Sequence, residues 1–345
     1  MAALLLNTLY VTIPDAYLRL EGETVCVTVD KEKRLQVPLH HLGSIVCFGD
    51  VMLSPALLGR CTAEGRSVVW LERSGRFQAR VEGPVNGNIL LRQAQYRAAD
   101  DPDRAIELAR AFLAGKLRNS RNVLLRGARD SQNDAERAAL VQNARLVAGH
   151  LRKLPHAPDL DTLRGDEGNA ARVYFQSVQY LIRPPARSDF AFDTRNRRPP
   201  TDPMNAMLSF LYAVLLHDCR SALEAVGLDP QLGFLHAVRP GRAALALDLL
   251  EEFRSVIADR LALTLVNRGQ IQASHFDKRE GGAVLLNDEG RKTAITAYQE
   301  RKQETLMHSV LEQQLPIGLL PHIQARLLAR YLRGDAPAYV PYFHR

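Results

Sequence analysis

Polar and apolar positions follow two different rhythms along this chain. Up to about residue 90 the rhythm is short. "YLRLEGETVCVTVD" alternates apolar and polar side chains and is rich in β-branched residues, which predicts strands. "DKEKR" supplies a polar turn before "LQVPLHHLGSIVCFG". "RSVVWLERSGRFQARVEG" predicts two strands around Ser74-Gly75. "SPALLGRCTAEG" interrupts the series and predicts a short helix capped by Ser54. Short strands at this spacing predict a small sandwich or distorted barrel.

From "NILLRQAQYRAAD" onward the period lengthens. After the break at Asp101-Pro102, Ile106, Leu108, Phe112, Leu113 and Leu117 recur close to every 3.6 residues, the mark of an amphipathic helix. "DAERAALVQNARLVAGHLRKL" predicts a second helix, "LPHAPDLDTLRGDEG" a break, and "NAARVYFQSVQYLI" a resumption. "RPPARSDFAFDTRNRRPPTDP" is a long connection rich in proline and arginine. Further helices are expected at roughly 203–226, 243–267, 293–313 and 318–333. The fold class is therefore α+β. A β-sandwich-like domain over residues 1–90 precedes a larger all-α domain over residues 91–345.

Composition narrows the picture. The chain has 345 residues, 46% hydrophobic and 24% charged, as in ordinary globular proteins. Its N-terminus has no basic leader or small-residue cleavage site, so a strand is expected there and not a signal peptide. No uninterrupted apolar stretch reaches the roughly 18 residues of a membrane span, so none is expected. Cys26, Cys47, Cys61 and Cys219 form no CxxC pair. Isolated cysteines of this kind read as small buried apolar residues, reduced, in a cytoplasmic protein. The formal net charge is +7. Residues 1–95 hold ten basic against nine acidic residues, leaving 35 against 29 in the remainder. A polyanion-binding surface is thus expected in the later part, the alternative being a merely basic, solvated surface.

One segment concentrates candidate chemistry. "GFLHAVRPGRAALALDLLEEFR" sets His236 ahead of Asp248, Glu251 and Glu252. On a helix these carboxylates, at i, i+3 and i+4, share a face, while Leu249, Leu250, Phe253 and Ile257 are free to pack. A divalent cation would turn their mutual repulsion into attraction. The bland alternative is a solvated acidic face, or one paired with Arg239, Arg242 or Arg254. "LRGDEGNAARVYF" places Glu167 between Gly165 and Gly168, in what reads as a turn opening a helix. Two carboxylates and an imidazole, from Glu167, Glu251 and His236, make an oxygen-rich set that suits Mn²⁺ or Mg²⁺ better than structural zinc.

In order along the chain, "GDEGNAARVYF", "DPMNAMLSFLYAVL", "GLDPQLGFLH" and "LALDLLEEFR" closely resemble the family of CRISPR-associated protein one, the integrase subunit that acquires new spacers. The resemblance spans nearly the whole chain. "LNTLYVTIPDAYL", "GNILLRQAQYR" and "QARLLARYLRGDAPAYVPYF" look like its subtype I-C branch. The resemblance implies metal binding by Glu167, His236 and Glu251, the last often Asp in relatives, with Asp248 beside the metal as a further catalytic candidate. Glu252 and Asp259 match acidic positions of structural role. Asn205 and Tyr212 match site-lining positions, with core packing the alternative for Tyr212. It also implies a homodimer formed through the strand-rich domain, and assembly with CRISPR-associated protein two on double-stranded DNA.

The implied reaction is attack of a 3′-hydroxyl on a repeat phosphodiester, or hydrolysis when water attacks. Arg183, Arg187, Arg195, Arg197 and Arg198, in the connection that also holds Asp189 and Asp193, are candidates for contact with DNA phosphates. The alternative for that segment is a solvated connection. Phe190 and Phe192 there read as core anchors, with base stacking the alternative. Two other functions compete: a stand-alone metal-dependent nuclease on branched DNA, and a non-catalytic DNA-binding scaffold.

Overall fold

The computed structural model describes residues 8–73, 75, 77–81, 83 and 89–344. Leu6 and Asn7 of the opening motif, Ser74 of the expected turn, and Gly87 and Asn88 of the hinge motif lie outside them. Eight described strands form two four-stranded sheets. They are β1 (Thr8–Val11), β2 (Tyr17–Glu21), β3 (Thr24–Val29), β4 (Glu32–Pro38), β5 (Ser44–Phe48), β6 (Met52–Leu53), β7 (Ser67–Leu71) and β8 (Phe77–Val81). One sheet runs β1-β5-β7-β8, the first three parallel and β8 antiparallel. The other runs β4-β3-β2-β6, antiparallel except for the β2/β6 pair. The short helix α1 (Pro55–Ala63) starts where expected, with the Ser54 hydroxyl accepting from the Leu57 amide.

Leu18, Val25, Val27, Ile45, Cys47 and Val68 fill the space between the sheets. The other face of β5 and β7 is buried as well: Val46, Phe48, Val69 and Leu71 join the core of the helical region. Phe48 meets Phe210 at 5.8 Å between ring centroids. Burial on both faces explains why "SIVCF" and "SVVWL" are almost continuously apolar, whereas β2 alternates. All four cysteines are free and buried.

Helices follow: α2 (Ile89–Asp100), α3 (Pro102–Asp130), α4 (Asp134–Lys153), α5 (Leu160–Gln176), α6 (Val178–Leu181), α7 (Pro203–Ala225), α8 (Ala244–Glu251) and α9 (Arg260–Asn267). Asp101, Asn133 and Asp202 cap α3, α4 and α7 by accepting from backbone amides. The 243–267 segment is not one regular helix. A wide π-helical turn over Arg254–Asp259 separates α8 from α9. The helix expected at 293–313 is α10 (Asp288–Gln303), begun by the Asn287 cap and ended where Glu304 turns extended. Last comes α11 (Leu320–Arg333), ended by Gly334 at φ 84°.

The later region also holds two short hairpins, which the periodicity did not announce. They are β9 (Phe276–Lys278) with β10 (Val284–Leu286), and β11 (Thr305–Met307) with β12 (Gln314–Pro316). Three-residue strands are too short to carry a legible period-2 pattern. Helix α7 is long and apolar enough to cross a membrane by length and composition, but most of that window is buried inside the fold. It is the central helix of the core.

Candidate functional site

Glu167 lies inside α5, not in a turn opening it. The Asp159 carboxylate accepts from the Thr162 amide, so the helix starts at Leu160 and runs through "DTLRGDEG". Gly165 and Gly168 cost some helix propensity, but each would find open space for a Cβ.

The three carboxylates of the α8 segment are not one wet face. Asp248, Glu251 and Glu252 are 0%, 2% and 0% exposed, and each has its own partners. Asp248 accepts from the backbone amides of Phe234 (2.6 Å), Leu235 (3.0 Å) and His236 (2.9 Å). The His236 ring donates to it through Nδ1 at 2.6 Å. That loop lies so close that a Cβ on Gly233 would sit 2.6 Å from Asp248 Oδ2. Asp248 thus acts on the loop and on the imidazole it orients. Leu249, Leu250, Phe253 and Ile257 are buried, so the segment is enclosed all round.

With Nδ1 occupied, His236 presents Nε2 to Glu251, 3.9 Å from Oε1. The same oxygen takes Arg254 at 3.0 Å, and Oε2 takes the Lys116 ammonium at 2.8 Å. Lys116 also bonds Glu167. Glu167 of α5 and Glu251 of α8 therefore share one lysine from α3, and His236, in the loop before α8, reaches the same Glu251. Gly115 permits the approach of α3: a Cβ there would lie 3.1 Å from Glu252 Cγ and from Pro341 Cβ. Burial by itself pushes the Glu251 carboxyl up, but Arg254, Lys116 and His236 together hold it well below the usual carboxylate range.

Glu252 faces the other way. It accepts from Gln324 Nε2 (2.9 Å), the Tyr342 amide (2.6 Å) and the Tyr339 hydroxyl. It pins α11 and the segment around Tyr339 and Tyr342 to the end of α8. Burial raises its carboxyl to about 8 against the pull of those donors. Asp259 accepts from Tyr174 (2.8 Å) and Tyr212, a structural position as well.

Asn205 is fully buried and ties the Pro/Arg-rich connection to the start of α7, bonding Thr194, Asn196, Arg195 and Asp202. Tyr212 lies one layer behind Glu251, its ring 4.6 Å from the Arg254 guanidinium. Phe190 and Phe192 are core anchors, 2% and 5% exposed.

The arginines of the connection divide. Arg187 makes a two-point bond to Glu136 at 2.6 and 2.8 Å. Arg195 is engaged with Asn205 and Ser209 and lies over Tyr212. Their guanidinium groups are committed to partners within the chain. Arg183, Arg197 and Arg198 are exposed and carry no ion pair among the described residues. Burial, Arg239, Arg197 and Arg198 lower the proton affinity of Arg242, and Asp248 raises it. Arg239 and Arg242, in the loop after His236, and the exposed Arg197 and Arg198, whose charges Arg242 feels, make this side of the molecule basic.

Among the described residues, no three His, Cys, Asp or Glu side chains stand ready to hold a metal ion as arranged. The Lys116 ammonium sits between Glu167 and Glu251. The donor set nonetheless fits a divalent ion in kind. It pairs two carboxylates with an imidazole whose other nitrogen is fixed by a carboxylate, a common outer-sphere pattern of metal-bound histidine. Lys116 was the residue missed from sequence. Its signal was a lysine on the apolar stripe of α3, between Leu113 and Leu117.

Known proteins similar to this chain cover nearly its whole length. Residues 9–300 match the family described as "CRISPR associated protein Cas1". The chain is 55% identical to "CRISPR-associated endonuclease Cas1 1" of Moorella thermoacetica, over 99% of each. Among solved structures it shares its fold with a casposase bound to integration product, at TM-score 0.85 and 20% identity over 98% of this chain and 94% of that one. It also resembles a chain of a Cas6-RT-Cas1–Cas2 complex, at TM-score 0.81 and 22% identity over 97% of this chain and 36% of that one.

Proposed function

Because the chain belongs to the Cas1 family of CRISPR-associated proteins, we propose that it is a DNA endonuclease and integrase that inserts captured duplex fragments into a CRISPR array. The observation that carries this reading is the linkage of Glu167 and His236 to the buried Glu251, the first through Lys116 and the second at 3.9 Å, beside the arginines of the loop after His236. The relative from Moorella thermoacetica is named an endonuclease, and the casposase of like fold is bound to its integration product.

The residues' parts follow from their geometry. Asp248 holds the His236 imidazole by Nδ1, so Nε2 faces Glu251. Glu167, Glu251 and His236 Nε2 would hold Mn²⁺ or Mg²⁺. When bound, such an ion polarises a phosphate and acidifies a hydroxyl nucleophile. Arg197, Arg198, Arg239 and Arg242 hold phosphates without reading bases, as capture of varied sequences requires. In the reaction a 3′-oxygen of the captured strand bonds to phosphorus at the repeat edge. The repeat's own P–O3′ bond breaks, and the released 3′-oxygen takes up a proton. One phosphodiester replaces another, so the step balances without ATP.

The proposal extends to partners and place. The strand-rich domain pairs two copies, and Cas2 joins them on double-stranded DNA in the cytoplasm. A chain of like fold occurs in a complex with Cas2. The opening, hinge and closing motifs support the subtype I-C branch. The test incubates the protein and its Cas2 partner with a labelled duplex, a repeat-bearing plasmid and Mn²⁺. Covalent, chelator-sensitive transfer of label to the plasmid is the expected result. Robust cutting without the partner, and no strand joining even with it, overturns the integrase reading in favour of a stand-alone nuclease. Unchanged transfer by Glu167→Gln and His236→Ala variants overturns the assignment of the site.

A further inference from the structure

Lys116 is 7% exposed, and its ammonium lies where the candidate donors converge. It is 2.8 Å from Glu251 Oε2 and bonded to Glu167. His236 Nε2 reaches the same glutamate from the other side. Glu251 Oε2, despite its ion pair, makes no well-directed hydrogen bond. The two cations on Glu251 differ in freedom. Arg254 is fixed by the Tyr212 ring at 4.6 Å as well as by Glu251 at 3.0 Å. Lys116 is a point charge on a flexible four-carbon stem, with one of its two carboxylates, Glu167, at the partly exposed edge.

Resting on the reading of Glu167, Glu251 and His236 as a metal site, we propose that Lys116 is that site's resident counter-ion. It neutralises the two carboxylates while no divalent ion is present and withdraws when one enters. Glu251, buried, and Glu167, half-buried, would face each other with Arg254 alone to balance them, which is costly, so a lysine there keeps the empty site folded. The same lysine opposes loading, because an incoming ion must break its pairs and meets its positive charge. Lys116 is on this account a positioning residue that sets how much metal the site requires. A purely structural lysine would keep its pairs whether or not metal is bound.

The test titrates Mn²⁺ calorimetrically into the full chain, wild type and variant. Lys116→Met should bind Mn²⁺ roughly tenfold tighter or more, since one lost buried pair is worth at least that factor. Glu167→Gln should weaken binding strongly. Equal or weaker binding by Lys116→Met, with Glu167→Gln still impaired, overturns the role of Lys116 and leaves the metal site standing. Binding insensitive to Glu167→Gln, or none in the wild type, overturns both. Should Lys116→Met not fold, amine acetylation of the wild type, read by peptide mass spectrometry, decides. Lys116 should acetylate several-fold faster with Mn²⁺ than without. Lys302, buried and paired with Asp218 at 3.1 Å, is the internal control. An unchanged rate at Lys116 overturns the proposal.

Discussion

Glu251 and Glu252 are neighbours, both buried, and they live in opposite surroundings. Glu251 is ringed by cations and an imidazole, and its proton affinity is held low. Glu252 is ringed by neutral donors from Gln324, Tyr339 and Tyr342, and burial raises it to about 8. Equal burial does not make equal chemistry. A carboxylate kept charged by mobile or displaceable cations can exchange them for a metal. One kept among neutral hydrogen-bond donors can only hold the fold. Consecutive residues of a helix point about 100° apart, so a single step along the chain separates the two roles.

The sharpest way to break the comparison is to neutralise each glutamate in turn. Glu251→Gln should lower strand transfer roughly a thousandfold or more, as removal of a metal-holding group in a phosphoryl-transfer site does. Glu252→Gln should leave transfer within a few-fold of wild type at neutral pH, its amide still able to bond Tyr339. A plasmid-integration assay on folded protein decides. Equal losses in both would erase the distinction.

The next effect concerns the loop that orients His236. Gly233→Ala would place a methyl 2.6 Å from Asp248 Oδ2 and 2.8 Å from the Leu245 amide nitrogen. A cost of about 1–3 kcal/mol is expected from this overpacking. Denaturant unfolding should show it, and transfer should fall with it as the imidazole loses its anchor.

A third test uses pH. The Glu252 carboxyl moves from an ordinary 4.5 to about 8 in the folded protein. Between those values the folded chain keeps a proton that the unfolded chain has released, so stability falls as pH rises through that window. Glu252→Gln cannot titrate. Its stability relative to wild type should rise from pH 5 to pH 9, by about 1 kcal/mol or more. A flat difference in thermal unfolding across that range contradicts the assignment of Glu252 as buried and neutral-ringed.

The smallest effect belongs to the exposed arginines. Arg197→Ala and Arg198→Ala should each weaken duplex binding a few-fold and lower the salt slope by about one. Arg187→Ala, whose guanidinium is spent on Glu136, should leave that slope unchanged.

Much of this was legible in sequence because it is local. The strand-to-helix change near residue 90, the Ser54 cap and the helix at 203–226 follow from periodicity and capping residues. So did the candidacy of Glu167, His236 and Glu251, from residue chemistry and family motifs. What stayed hidden is tertiary. Glu167 reads as a turn residue because two glycines flank it, yet the Asp159 cap and packing carry a helix through both. The split of Asp248, Glu251 and Glu252 among separate partners depends on segments distant in sequence, Lys116 on α3 for Glu251 and Gln324, Tyr339 and Tyr342 for Glu252. Lys116 shows only as one charged residue on an apolar stripe, and the carboxylates it serves come from two other helices.

Anomalous diffraction at the manganese edge, from crystals soaked in Mn²⁺, tests the central claim most directly. The account predicts one peak within roughly 2 Å of Glu167, Glu251 and His236 Nε2, with the Lys116 ammonium withdrawn and Glu252 unchanged. A chain that shows no peak there, its lysine still bridging the two glutamates at saturating manganese, would contradict it.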